Sequence, residues 1–114
     1  IDQRVEKLTP FFFSYTLSKS SLAVLTKISA MKLAPNIRVN GISPGPTLKN
    51  KRQSEKHFKK QWKSILLKNK VDLDNICDGV KFLIKNKNIT GEIINIDGGQ
   101  RLAWQTPDII NTKE

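Results

Sequence analysis

The sequence has very few of the residues that form disulfides and metal sites. It contains a single cysteine, Cys77, and a single histidine, His57. One cysteine cannot form an internal disulfide and is typical of a protein from a reducing compartment. A histidine without a second candidate ligand nearby does not indicate a metal site. We therefore expect a cytoplasmic protein that binds no metal.

Long apolar runs and acidic residues are also scarce. No run is long enough for a transmembrane helix or a signal peptide, so we expect no membrane partner. Twenty lysines and arginines against ten acids give a net charge of +10. Residues 49–70 hold most of this excess, with Glu55 as their only acid. Because no base-reading motif accompanies it, this segment is interpreted as a solvated basic face, and a nucleic-acid-binding module is the alternative.

A long helix is predicted over residues 11–33. It begins after Pro10, which suits a first helical turn, and it ends before Pro35, which cannot continue a helix. Apolar residues recur at helical spacing and are predicted to form its core stripe: Leu17, Val24, Leu25, Ile28 and Met31.

The rest of the chain alternates between short strands and helices. Strands are predicted over residues 37–42 and 92–96, a loop over 43–47, and helices over 54–67 and 72–85. The last helix should bury Leu73, Ile76, Cys77, Val80, Leu83 and Ile84. Two strands joined by a helical crossover should lie parallel, which makes this an α/β fold.

Tyr15 and Lys19 lie four residues apart near the start of the long helix. This spacing places two side chains on one helical face. A phenol has a pKa of about 10, and a nearby cation lowers it by favouring the phenolate. The pair is therefore a candidate for acid catalysis.

Three motifs occur in order along the chain: YTLSK, LAPNIRVNGISPGP and TGEIINIDGG. Together they resemble the C-terminal half of the short-chain dehydrogenase/reductases. The resemblance implies the C-terminal half of a Rossmann-like, doubly wound parallel sheet over residues 1–104, followed by a tail over 105–114.

The resemblance also implies a catalytic site. Tyr15 would be the acid/base and would also contact the cofactor, NADP or NAD. Lys19 would lower the pKa of Tyr15 and bind the cofactor ribose. Pro44, Gly45 and Thr47 would lie along the nicotinamide.

Asp2 stands thirteen residues before Tyr15, where the family usually has a serine. An aspartate there resembles the pteridine reductases, in which it helps the tyrosine to protonate the substrate. The other interpretation is a solvated loop acid.

One family motif is missing from the sequence. The glycine-rich turn that places a helix N-terminus on the dinucleotide pyrophosphate does not occur among the six glycines. We therefore expect a truncated chain that lacks the nucleotide-binding half. Such a chain should be weakly stable alone, or should need another chain to complete its sheet.

The function implied by the resemblance is NAD(P)H-dependent reduction of a C=N or C=O bond in a small molecule. Two alternatives remain: an inactive remnant of a split gene, and a carbonyl reductase that acts on a 3-oxoacyl thioester. Intact family members are homo-oligomers, and a complementing N-terminal chain is the other expected partner.

Overall fold

The computed structural model describes residues 1–109 and has an α/β fold. Short 3-10 helices, Gln3–Val5 and Gln100–Leu102, lie near its two ends. Between them come α1 (Phe13–Leu33), β1 (Gly41–Pro44), α2 (Glu55–Lys63), α3 (Leu73–Lys85) and β2 (Ile93–Ile96). The two strands pair in parallel, with Gly41 opposite Ile93 and Pro44 opposite Ile96. The predicted fold class and strand direction are confirmed.

β1 lies further along the chain than predicted. Ser43 and Pro44, expected in the loop, belong to the strand. The preceding residues also run beside the segment that leads into β2, but they pair with it partly through side chains. Asn40 donates from Nδ2 to Ile89 O (3.0 Å) and accepts from Glu92 N at Oδ1 (3.0 Å). Side-chain bonds of this kind replace the regular backbone ladder, so the strand begins only at Gly41.

Arg38 fixes the C-terminus of α3 to the approach to β1. Its guanidinium donates to four backbone carbonyls, those of Leu83, Ile84, Asn86 and Ile89, at 2.9–3.1 Å. The last carbonyls of a helix have no partner within the helix, and a cation there also interacts favourably with the helix dipole. One partly buried guanidinium therefore completes the end of α3.

α2 is shorter than predicted because the chain leaves the helix to pack against the turn after β2. Ser54 caps its N-terminus by accepting from His57 N (3.1 Å). After Lys63 the backbone bonds to other segments, and Leu67 N donates to Gly98 O (3.1 Å). Ile65 is thereby buried against Gly98, where a β-carbon would approach Ile65 Cδ1 to 2.5 Å.

The predicted core stripe of α1 is wrong. Its members are 54–80% exposed: Leu17, Val24, Leu25, Ile28 and Met31. The buried face instead carries the small residues Ala23, Thr26 and Ala30. α1 is apolar on more than one side, and periodicity does not tell which side meets the rest of the chain. Small side chains let the helix approach closely, and Ala30 lies against Gly91.

α3 also buries less than its pattern predicts. Leu83 is buried and Ile76 is partly buried, but Cys77, Val80 and Ile84 are exposed. The helix approaches the sheet through Gly79, where a β-carbon would clash with Ile96 Cδ1. The prediction that Cys77 is a core residue is therefore wrong.

The predicted tail, residues 105–114, falls partly outside the structure. Residues 105–109 contain no helix or strand, and residues 110–114 lie outside the described part of the chain. Within residues 1–109, no helix combines the length and the apolar character needed to cross a bilayer.

Candidate active site

The N-terminal segment lies beside β1 and positions Asp2. The Ile1 nitrogen donates to Ile42 O (3.0 Å), which places the segment along the strand edge not used by β2. Asp2 then caps the first 3-10 helix by accepting from Arg4 N at Oδ1 (2.9 Å). One carboxylate oxygen is thus used in a local turn, and the other faces α1.

Asp2 and Tyr15 are brought together, as their spacing suggested. Tyr15 Oη donates to Asp2 Oδ2 at 3.1 Å. Tyr15 lies in the first turn of α1 and is 45% exposed, so the hydroxyl remains open to a further partner. The contact joins two residues thirteen positions apart into one acid pair.

Lys19 lies on the same side of α1 but not at the hydroxyl of Tyr15. Its Nζ is 5.5 Å from the centroid of the tyrosine ring, a cation–π distance. Among the described residues it forms no salt bridge. The N–H donors of the Lys19 ammonium therefore remain available to a hydroxyl of a ligand.

The pKa of Tyr15 is shifted in the direction opposite to the one expected. Burial of the phenol raises this pKa above its usual value of 10.0, and the charge and hydrogen bond of Asp2 raise it further. The guanidinium of Arg4 acts against them and lowers it. Lys19 makes no such contribution, because it lies over the ring while the Asp2 carboxylate lies at the hydroxyl. The prediction that Lys19 lowers the pKa is therefore not met in this structure.

The loop that follows β1 contains Gly45 and Thr47 and lies at the carboxyl ends of both strands. Gly45 N donates to Ile96 O (2.9 Å), and a β-carbon on Gly45 would lie 2.7 Å from Asp97 Cα. Thr47 donates from Oγ1 to Gly45 O (2.9 Å). Gly45 is thus required by close packing within the chain. Pro44, Gly45 and Thr47 lie at the carboxyl ends of the strands, which is where open α/β sheets bind ligands.

An ion network centred on the buried Asp97 lies next to this loop and was not anticipated from the sequence. Asp97 is 3% exposed and accepts from Gly99 N, Arg101 N and the Arg101 guanidinium at 2.9–3.2 Å. Arg101 also pairs with Glu6 at 3.0 Å. The Asp-Gly-Gly sequence could have indicated the turn that Asp97 closes. The link to Glu6 is long-range and has no local signal.

Asp2 lines one of the cavities described here, whereas Tyr15 lines none of them. One of about 470 Å³ includes Asp2, Ser43 and Asn95 in its wall. Another of about 340 Å³ lies between the N-terminal segment and α2. A third of about 900 Å³, which includes Trp62 and Arg101, is lined by none of the three predicted catalytic residues. Residues 1–109 contain no cluster of metal-ligating side chains.

Comparisons with known proteins identify relatives of this chain. The sequence profile described as "Enoyl-(Acyl carrier protein) reductase" matches residues 3–101. A Bacillus subtilis protein named short-chain dehydrogenase/reductase homolog YusR is 38% identical over 89 residues, which is 77% of this chain and 69% of that protein. Dihydromonapterin reductase of Escherichia coli O6:K15:H31 is 30% identical over 101 residues.

A solved structure shares both the fold and much of the sequence. FolM alternative dihydrofolate reductase 1 from Brucella canis, complexed with NADP, superposes with a TM-score of 0.91 and 50% identity over 96% of this chain. The chain spans 44% of that protein and 42% of the E. coli reductase. It thus corresponds to less than half of either relative. The profile match and these relatives show that the chain belongs to the short-chain dehydrogenase/reductase family and resembles its pteridine reductases.

Proposed function

We propose that this chain carries the proton-donating part of the active site of a nicotinamide-dependent pteridine reductase. The intact enzyme would reduce a C=N or C=O bond of its substrate. The observation that carries the proposal is the 3.1 Å hydrogen bond from Tyr15 Oη to Asp2 Oδ2. The similarity to a dihydromonapterin reductase and to an NADP-bound dihydrofolate reductase supports the choice of substrate and cofactor.

Tyr15 is suited to act as a proton donor rather than as a base. A phenol of ordinary pKa already keeps its proton at neutral pH, and burial and Asp2 raise the pKa of Tyr15 further. In a reduction, the nitrogen or oxygen of the reacting bond takes a proton as the adjoining carbon receives a hydride. Tyr15 Oη would supply that proton while the Asp2 carboxylate, which accepts its hydrogen bond, holds the phenol in position. The phenolate left behind would take a proton back from solvent, because Tyr15 is 45% exposed. A bound reduced nicotinamide would supply the hydride.

The residues predicted to hold the cofactor fit it to different degrees. Lys19 has an unpaired ammonium one helical turn after Tyr15, and a ribose hydroxyl is a suitable acceptor for it. Thr47 donates its hydroxyl hydrogen to Gly45 O, so its oxygen could accept from the NH₂ of a nicotinamide carboxamide at the carboxyl end of β1. Gly45 has its N–H bonded to Ile96 and would contribute close approach only. The proposed role of Lys19 is therefore to bind the cofactor rather than to shift the pKa of Tyr15.

The test is the oxidation of NADPH with a dihydropteridine substrate. It compares the chain alone with the chain co-expressed with the nucleotide-binding half of the Brucella canis reductase. We expect activity in the complemented protein, and Tyr15→Phe should reduce kcat by about 10²–10⁴-fold, the usual contribution of a positioned proton donor. Leu67→Ala, at an exposed residue away from the pair, is the matched control.

Two outcomes would contradict the proposal. A complemented protein that binds NADPH but reduces no pteridine, while it reduces a 3-oxoacyl thioester, is an ordinary carbonyl reductase. A complemented protein that neither binds NADPH nor reduces any substrate identifies the chain as an inactive remnant.

A further inference from the structure

The cavity of about 340 Å³ between the N-terminal segment and α2 has an unusual wall. Two of its residues are cations, Arg4 and Lys7. Four are glutamines, Gln3, Gln53, Gln61 and Gln100. No aspartate or glutamate is among the described residues that line it. A concave wall of this composition favours a ligand that carries negative charge and amide-type hydrogen-bonding groups.

The two cations are not neutralised within the described part of the chain. Neither Arg4 nor Lys7 forms a salt bridge there, whereas Glu6, which lies between them in sequence, pairs with Arg101 at 3.0 Å. Both side chains are only partly exposed. An arginine fork and a lysine ammonium are the side chains that bind carboxylates most strongly.

The cavity adjoins the Tyr15–Asp2 pair. The backbone N–H of Arg4 holds Asp2 Oδ1 at 2.9 Å, and its guanidinium lies 5.1 Å from the centroid of the Phe12 ring. Phe12, also in the wall, precedes Tyr15 by three residues. Arg4 is also close enough to Tyr15 to influence its pKa. A molecule whose reacting bond lies at Tyr15 Oη can therefore extend a substituent into this cavity.

We propose that the cavity binds an amide-linked carboxylate substituent of the substrate, and that Arg4 and Lys7 are its ligands. The inference rests on the proposed function, because it names the substrate class of the same site. Such a cavity would favour binding of pteridines with a glutamate-type tail over pteridines with a neutral polyol tail. Gln53 and Gln61 bond to each other (2.8 Å), so Gln3 and Gln100 would bond to the amide of the tail. The two cations would bind its carboxylates.

The decisive experiment measures binding of the tail without any catalysis. N-(4-aminobenzoyl)-L-glutamate is titrated into the chain by calorimetry, and so is its diamide, in which both carboxylates are neutral. We expect the dianion to bind about tenfold more tightly than the diamide, as for one or two charge-assisted bonds. The double variant Arg4→Gln/Lys7→Gln should remove that difference, and Arg4→Lys should restore part of it.

The matched control is Lys56→Gln/Lys59→Gln. It removes the same two charges from exposed positions on α2 that are outside the cavity wall, and it should keep the tenfold preference. Equal affinity of the dianion and the diamide for the parent chain would overturn the inference. An equal loss in the control would overturn it as well, because general charge attraction would then explain the binding.

A second arm separates this inference from the proposed function and from cofactor phosphate. In the complemented enzyme, Arg4→Gln/Lys7→Gln should raise the KM for dihydrofolate. The KM for dihydromonapterin should stay within about twofold, because the two cations bind only a charged tail. A raised KM for NADPH with an unchanged KM for dihydrofolate would assign the cations to the cofactor and overturn the inference. Preferential dianion binding without any pteridine reduction would defeat the proposed function and leave the inference standing.

Discussion

Two regions of the molecule differ in which side chains they bury: the carboxyl ends of the strands, called here the carboxyl edge, and the outer face of α1. At the carboxyl edge, polar groups are buried and satisfied within the chain: Asp97 is 3% exposed and accepts three hydrogen bonds. On the outer face of α1, large apolar side chains such as Leu25 and Ile28 are more than half exposed. Contiguous exposed apolar residues mark surfaces that another polypeptide covers. The edge is therefore complete in itself, and the helix face is expected to need a partner.

The chain is also much shorter than its solved relative. The chain matches 96% of its own length to the Brucella canis reductase but spans 44% of that protein. A covering segment for α1 could come from the remaining part of such a fold or from a second subunit. Both are consistent with the partners predicted from the sequence.

The largest expected effect in this comparison comes from removing the buried carboxylate. Asp97→Ala should lower the free energy of unfolding of the chain by about 3 kcal/mol, because it leaves the Arg101 side chain and two backbone N–H groups without their acceptor. Urea denaturation measures the change. Asp78→Ala removes an exposed carboxylate with a 3.5 Å lysine partner and should change stability by less than about 0.5 kcal/mol. Equal effects of the two variants would mean that the hydrogen bonds of Asp97 do not stabilise the carboxyl edge.

A smaller effect should separate the two faces of α1. Ala30→Leu adds volume at a residue that is 4% exposed and should cost about 1–3 kcal/mol through overpacking against the Gly91 turn. Ile28→Ser lies on the outer face and should change the stability of the isolated chain by less than about 0.5 kcal/mol. The same variant should weaken association with the complementing half, as measured by co-purification. A loss of stability from Ile28→Ser in the isolated chain would show that this face is already covered.

The sequence predicted those features that depend on residues near one another. The kinds and order of the elements and the parallel strands followed from short-range patterns, and the family resemblance implied that Asp2 meets Tyr15. The role of Arg38 was missed because its partners are 45 or more residues away, and the link from Asp97 to Glu6 was missed because it runs through Arg101. No local pattern encodes such pairings.

The core was predicted least well. α1 has apolar residues around much of its circumference, and periodicity identifies a helix without identifying which face meets this particular stretch of chain. The buried face was selected by side-chain size, since Ala23, Thr26 and Ala30 permit close approach. The expected effect of Lys19 on Tyr15 failed for a similar reason, because a four-residue spacing fixes the helical face but not the position of the ammonium relative to the hydroxyl.

The central claim is that Asp2 holds Tyr15 as a protonated acid. Tyr15 is the only tyrosine in the chain, so ultraviolet titration of the phenolate reads its pKa directly. We expect a midpoint above 10.0, a lower midpoint in Asp2→Asn and a higher one in Arg4→Gln, since the two side chains act on the phenol in opposite directions. Lys19→Gln should leave the midpoint unchanged. Asn remains able to cap the 3-10 helix at position 2, so the first variant preserves the local fold. A midpoint at or below 10.0 that does not respond to Asp2→Asn would contradict the claim.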